Sequence, residues 1–413
     1  MVLNVKGFDG GYIELSDVVL FNDECGCGRI EPDSIRVVPA LFDAHIHTRD
    51  PGYTYKEDIY SAAQAALYGG FSDVAAMPNT KPACDSPEII ADICKRAEAL
   101  PVNLHQIACV TVGSAGEKLC DLELLAAAGA SGFSDDGKPI QRDDIMESAL
   151  KTAFALGLPL ISHCECPELV YGGVINKGII SEKLGLPGIS NDSEYEMIKR
   201  HIALASKTDT AVHIAHVSTK EGFTLIREAK KAGIGVTCET CPHYFFFNEA
   251  EVYERGTYAK MNPPLRSEAD RLAAIEAICD GTVDIIVTDH APHTDSEKRI
   301  GDRDLSSALR TAPFGVIGLE SSFAAAYTAL VKSGYITFTR LICLMSDFPR
   351  RLFGIKPLNL DSGCRVALFD TENEFVYTAS HGKSKSHNSV FEGVSLFGRP
   401  VGYAFGKKIN NQI

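Results

Sequence analysis

Asp43-Ala44-His45-Ile46-His47 sets a carboxylate and two imidazoles at alternate positions of one short apolar run. In an extended strand alternate residues share a face, so Asp43, His45 and His47 point the same way. Two neutral imidazoles on one face grip a divalent metal, and a nearby carboxylate orients one of the rings. The same residue types recur where other apolar runs end. One leads into Phe133-Ser134-Asp135-Asp136-Gly137, two end in His163 and His216, and Asp289 closes another. Four imidazoles and two carboxylates gathered at one mouth suit two borderline ions such as Zn²⁺, with one carboxylate bridging and positions left for water. His105, His201, His213, His381 and His387 read as structural. His105 opens its run, His201 lies mid-helix, and His213 falls on the strand face opposite His216.

These groups converge only if their strands lie side by side with the same ends together. The apolar runs are Leu41–His47, Phe71–Met77, Leu104–Val110, Ala130–Ser134, Leu158–His163, Ala211–His216, Ile234–Glu239 and Asp284–Thr288. Stretches with helical spacing separate them, such as Ile145-Ala149-Ala153-Leu156, and Gly69, Gly129, Gly157 and Gly233 stand as stop signals. Eight strand–helix units with strands apolar on both faces predict an α/β fold, a TIM (β/α)8 barrel over residues 41–354. An open doubly wound sheet would carry a Gly-rich turn after an early strand, and none follows Leu41–His47. Both ends hold short β-like pieces. Residues 1–40 plus 355–413 therefore read as one small composite β domain, β-sandwich-like and formed from both termini. The charge run Asp295–Asp304 is mixed in sign. With Gly301 inside it, the 294–311 segment fits either a mobile lid or a passive surface loop.

The chain has 413 residues, a formal charge of −14, 45% hydrophobic and 23% charged residues. That balance is globular and excludes a disordered or fibrous chain. The acidic total argues against nucleic acid as a partner, because phosphates need a basic face. No apolar run is long enough to span a bilayer, and the N-terminus lacks a signal-peptide layout. Thirteen cysteines, an odd number, fit a reducing, cytoplasmic setting. Of the close pairs Cys25/Cys27, Cys164/Cys166 and Cys238/Cys241, only the last has CxxC spacing, and no second CxxC lies downstream to complete a four-thiolate zinc site.

Asp43–Gly52 (DAHIHTRDPG) resembles the dihydroorotase signature D-x-H-x-H-x-R-x-P-G. Further matches follow in order: Met77–Thr80, Phe133–Gly137, Ser162–Glu165, His216–Thr219, Asn262–Arg266, Thr288–His293 and Ala312–Gly315, then Ser384-Lys385-Ser386. The pattern is similar to class I dihydroorotases of the amidohydrolase superfamily over nearly the whole chain. The segment before Asp43 is shorter than the family usually has, and Val366-Ala367-Leu368 stands where it has Ala-Asp-Leu.

The resemblance implies that His45, His47 and Asp289 hold one Zn²⁺, that His163 and His216 hold a second, and that Asp136 bridges them, with Asp135 as the fallback. Lys138 does not occupy the position of the carboxylated lysine of hydantoinases. The implied reaction is reversible closure of N-carbamoyl-L-aspartate to L-dihydroorotate, with Asp289 moving the proton. Arg49, Asn79 and His293 would grip the substrate carboxylate, and Asn262 would touch substrate. The resemblance also implies a homodimer and an association with aspartate transcarbamoylase. The competing readings are a hydantoinase or allantoinase and a non-catalytic dihydroorotase-like scaffold.

Overall fold

The computed structural model describes residues 3–10, 12–15, 17–21, 32–298, 304–360 and 364–405. Cys25, Cys27 and Gly301 lie outside the described residues. Each of the eight apolar runs yields a strand. These are β1 (Leu41–Ile46), β2 (Phe71–Ala76), β3 (Asn103–Ala108), β4 (Gly132–Phe133), β5 (Ile161–Ser162), β6 (Ala211–Ile214), β7 (Gly235–Thr240) and β8 (Ile285–Ile286). They form two parallel four-stranded sheets, ordered β1-β2-β3-β4 and β8-β7-β6-β5. Single parallel bridges link the sheets at both edges, Phe133 to Leu160 and Ile46 to His290.

The strands read as continuously apolar because both of their faces are buried. Leu41, Val74, Ala76, Ala108, Val212 and Ile214 pack with residues of the surrounding helices. Their alternates Phe42, Ala75, Ile107, Ile161 and Ala215 form a separate cluster. The main intervening helices are α1 (Ile59–Tyr68), α2 (Pro87–Ala97), α3 (Leu122–Ala127), α4 (Asp143–Leu156), α5 (Asp192–Thr208), α6 (Lys220–Lys231) and α7 (Glu268–Cys279). Local chemistry marks their limits. Asp58 caps α1 by accepting from the Tyr60 and Ser61 amides, and Gly157 ends α4 at φ 68°.

Near the starts of the strands, Asp73 on β2 takes a 2.7 Å ion pair from Arg350 and lies 3.2 Å from His105 Nε2. Arg350 is only 1% exposed. His105 is thus engaged at the end of its strand away from the metal-ligand candidates.

The two ends of the chain meet in one six-stranded sheet, ordered Tyr12–Leu15, Leu3–Gly7, Ile35–Pro39, Arg365–Asp370, Arg399–Phe405, Val18–Leu20. One face holds its own cluster, including Val5, Val37, Val366, Leu368 and Val401. The alternates Val38, Ala367 and Phe369 join the large cluster of strands and helices, which binds the sheet to the rest of the molecule. The sequence pattern predicts a sandwich-like unit here; the described terminal residues make this six-stranded sheet and a separate antiparallel pair, Phe375–Val376 with Ser395–Leu396.

The C-terminal segment does more than complete that sheet. Ser384 donates to Glu57, and Ser386 Oγ donates to the Lys56 carbonyl at 2.8 Å. Asn388 donates to the carbonyls of Ala291 and Gly315 and accepts from the His293 amide. The segment thereby fastens the chain that follows β1 to the chain that follows β8.

Candidate metal centre

All six predicted ligands lie near the ends of their strands and are buried. His47 Nε2 is 3.0 Å from Asp289 Oδ1 and 3.6 Å from Asp136 Oδ2. His45 Nε2 is 3.5 Å from Asp136 Oδ1 and 3.8 Å from Asp289 Oδ1. From the opposite side, His163 Nδ1 and His216 Nε2 reach Asp136 Oδ1 at 3.7 and 3.8 Å. Two ligand groups result, His45–His47–Asp136 and Asp136–His163–His216, and Asp136 belongs to both. His216 (φ 33°) and Asp289 (φ 47°) adopt positive φ, which non-glycine residues rarely hold. Such strain persists where the surrounding structure enforces it, commonly at functional sites.

Asp135 is committed elsewhere. It accepts from the amides of Val110 and Thr111 at 2.9 and 3.1 Å and from the Thr111 hydroxyl. Lys138 is exposed. The geometry therefore brings Asp136, not its neighbour, to the shared position.

The polar atoms fit a pair of cations. His45 Nε2 and Asp136 Oδ1 are buried without a hydrogen-bond partner, a costly condition that a metal relieves. His163 Nδ1 and His216 Nε2 lie 3.0 Å apart, a separation that one shared hydrogen satisfies and that also lets a single ion take both lone pairs. The carboxylates are poised as anions. Burial alone would raise Asp136, yet His45, His216 and His47 hold it well below the ordinary carboxylate value. Burial is likewise overcome at Asp289 by His47, His45 and His216. The N/O donor set, with no thiolate, suits Zn²⁺ or a similar divalent ion.

The predicted substrate residues divide. Arg49 and His293 come together, with Arg49 Nη2 3.4 Å from His293 Nε2 and Arg49 Nε donating to the Pro292 carbonyl at 3.2 Å. His293 donates through Nε2 to the Phe314 carbonyl at 2.8 Å, and Lys56 Nζ approaches its Nδ1 at 3.1 Å. Burial, then Arg49 and Lys56, push its pKa down to about 2, so the ring is neutral. Asn79 sits among the ligands. Its Oδ1 accepts from His47 Nδ1 at 2.8 Å, and its Nδ2 donates to Asp136 Oδ2 at 2.9 Å. Asn262 donates to Glu165 Oε2 at 2.7 Å and leaves its buried Oδ1 unpartnered.

Comparison with known proteins follows the same lines. A dihydro-orotase-like family model matches residues 35–222. A dihydroorotase of Acetivibrio thermocellus is 42% identical over 365 residues, 88% of this chain and 84% of that protein. A dihydroorotase of Lactiplantibacillus plantarum is 38% identical, covering 96% of this chain and 95% of that protein. The chain belongs to the dihydroorotase family. Among solved structures, the L-hydantoinase (dihydropyrimidinase) from Arthrobacter aurescens matches with a TM-score of 0.79 at 21% identity, covering 99% of this chain and 98% of that one. A dihydropyrimidinase from Brevibacillus agri NCHU1002 matches at 0.78 and 20% identity, covering 97% and 92%. At that identity the likeness shows a shared α/β fold and nothing of substrate.

In this dihydroorotase-family chain one buried carboxylate escaped the sequence reading. Glu239 on β7 accepts from His45 and His213, so His213, expected to be structural, supports the centre from below. Glu239 closes an apolar run in the same way as His163 and His216 do, and that position was the available signal. At the start of the 294–311 segment, the described residues are not all solvated. Lys298 is fully buried and donates to the carbonyls of Thr257 and Lys260.

Proposed function

We propose that this chain is a binuclear metal-dependent dihydroorotase, interconverting N-carbamoyl-L-aspartate and L-dihydroorotate on the route to pyrimidines. Dihydroorotase activity follows from the family. The binuclear reading is carried by one observation: two histidine pairs share Asp136, with unpartnered buried donor atoms between them. His45, His47 and Asp289 would hold one Zn²⁺, His163 and His216 the other, and Asp136 both. When bound, the ions would acidify the attacking water and polarise the reacting carbonyl.

The residues of the chain supply the remainder. In the hydrolytic direction water adds to the ring amide carbon and its proton passes to Asp289. The carbon–nitrogen bond breaks, and Asp289 returns the proton to the departing ring nitrogen. The new carboxyl group then ionises, so hydrolysis releases a proton and ring closure consumes one. Arg49 would hold the exocyclic carboxylate as a fork-shaped donor beside neutral His293, a pairing supported by their proximity. Asn262 Oδ1 would accept from substrate. Asn79 would act chiefly by aiming His47 and Asp136, given where its amide is spent.

The two parallel sheets and the bridges at both of their edges support a closed eight-stranded barrel over residues 41–354. Residues 1–40 with 355–413 form the composite β unit in this reading. The eleven cysteines of the described residues are free thiols, which fits the reducing cytoplasm. A homodimer and an association with aspartate transcarbamoylase remain proposals, read by sedimentation of the chain alone and mixed with that enzyme. Turnover of dihydroorotate, hydantoin and allantoin by one metal-loaded sample tests the substrate. Dihydroorotate is expected to be fastest by a wide margin, and faster allantoin or hydantoin turnover overturns the reading.

A further inference from the structure

We infer that Glu239 is a positioning residue that sets both metal positions at once; the inference rests on the binuclear reading above. Glu239 is fully buried near the end of β7, between the strand that carries His216 and the one that leads to Asp289. Its Oε1 lies 2.5 Å from His45 Nδ1 and 3.2 Å from the backbone nitrogen of His216. Its Oε2 lies 3.0 Å from His213 Nε2. An ionised carboxylate only accepts, so both ring nitrogens that face it carry hydrogen. His213 Nδ1 is then left to accept from the Thr237 hydroxyl at 2.8 Å.

The consequence for His45 is direct. With Nδ1–H directed to Glu239, Nε2 is the ring atom left facing Asp136 and Asp289 to take a metal, and it has no hydrogen-bond partner. On the other side, the same Oε1 pins the amide of His216 where its backbone takes φ 33°. One carboxylate thus fixes the tautomer of a ligand for the first metal and the backbone turn that delivers a ligand for the second. Glu239 is a buried carboxylate beside Asp136 and Asp289, the two assigned as ligands. The His213 ring, itself held by Thr237, keeps Glu239 Oε2 occupied, which leaves Oε1 for His45 and the His216 amide.

The test is metal binding, read by chelator competition on metal-free wild type, Glu239→Gln and Glu239→Ala, with the visible spectrum of each Co²⁺-loaded protein. Glu239→Gln keeps the size and an acceptor oxygen but removes the charge. It is expected to weaken metal binding about 10- to 100-fold and to alter the Co²⁺ spectrum, the usual cost of losing a carboxylate behind a ligating histidine. Glu239→Ala should weaken it further, and Glu239→Gln decides alone if the alanine variant does not fold. Wild-type affinity and spectrum in Glu239→Gln overturn the inference. A wild type that binds no metal overturns the binuclear reading instead, so the two failures are distinct.

Discussion

His45, His163 and Asp289 reach one mouth from three separate strands, His45 and His163 in ligand groups that share Asp136 and Asp289 3.8 Å from His45. Alanine at any of them should lower dihydroorotate turnover roughly 10³-fold or more, because groups that act as a unit fail together. Steady-state kinetics checks this, and near-normal kcat in any one removes that residue from the centre. Arg49→Ala should mainly raise KM, with a smaller fall in kcat from a misplaced substrate; an unchanged KM denies it the carboxylate. The histidines and aspartates that meet at this mouth were legible because such residues close several apolar runs. Less visible were the partners that aim them. Asn79 looked like a substrate contact, but whether an amide faces ligand or solvent depends on side-chain packing across β1, β2 and β4. Glu239 had the right position on its run, yet a lone carboxylate carries no sign of the histidines that will meet it from β1 and β6.

His201 shows how an element is tied to the site without belonging to it. It lies on α5, is 1% exposed, and its Nδ1 is 2.7 Å from Ser162 Oγ on β5, next to His163. Burial and then the Arg200 charge push its pKa down from 6.5 to about 3. The unfolded chain therefore binds a proton that the folded chain refuses, and stability falls as the pH drops below about 6.5. At pH 5 the penalty is about 2 kcal/mol relative to pH 7. Equilibrium denaturation of the metal-free protein at both values should show wild type losing about that much more than His201→Gln; equal losses contradict the assignment. The order of strands and helices was readable because burial on both faces leaves unbroken apolar runs and glycines mark the stops. The strand limits were not. β4, β5 and β8 keep only two ladder residues each, although the apolar runs that contain them are longer.

For the whole molecule, a formal charge of −14 sits oddly with an anionic substrate until charge is counted locally. Arg49 and Lys56 lie beside His293, with Lys56 paired to Glu297 at 2.7 Å, so the local positive field would come from Arg49 and from the two divalent ions of the proposed centre. The joining of both termini in one sheet was foreseeable, since neither end alone holds enough apolar residues for a core. The return of residues 384–388 to the site was not, because its bonds go largely to backbone atoms of Lys56, Ala291 and Gly315, which leave no trace in side-chain pattern. All of these elements converge on the claim that two ions share Asp136. The most direct test is to strip the protein of metal, return Zn²⁺ in measured steps, and follow bound metal and dihydroorotate hydrolysis on the same sample. The account predicts no activity in the stripped protein and full activity at two equivalents per chain. Full activity without bound metal, or a plateau at one equivalent with no second ion taken up, would contradict it.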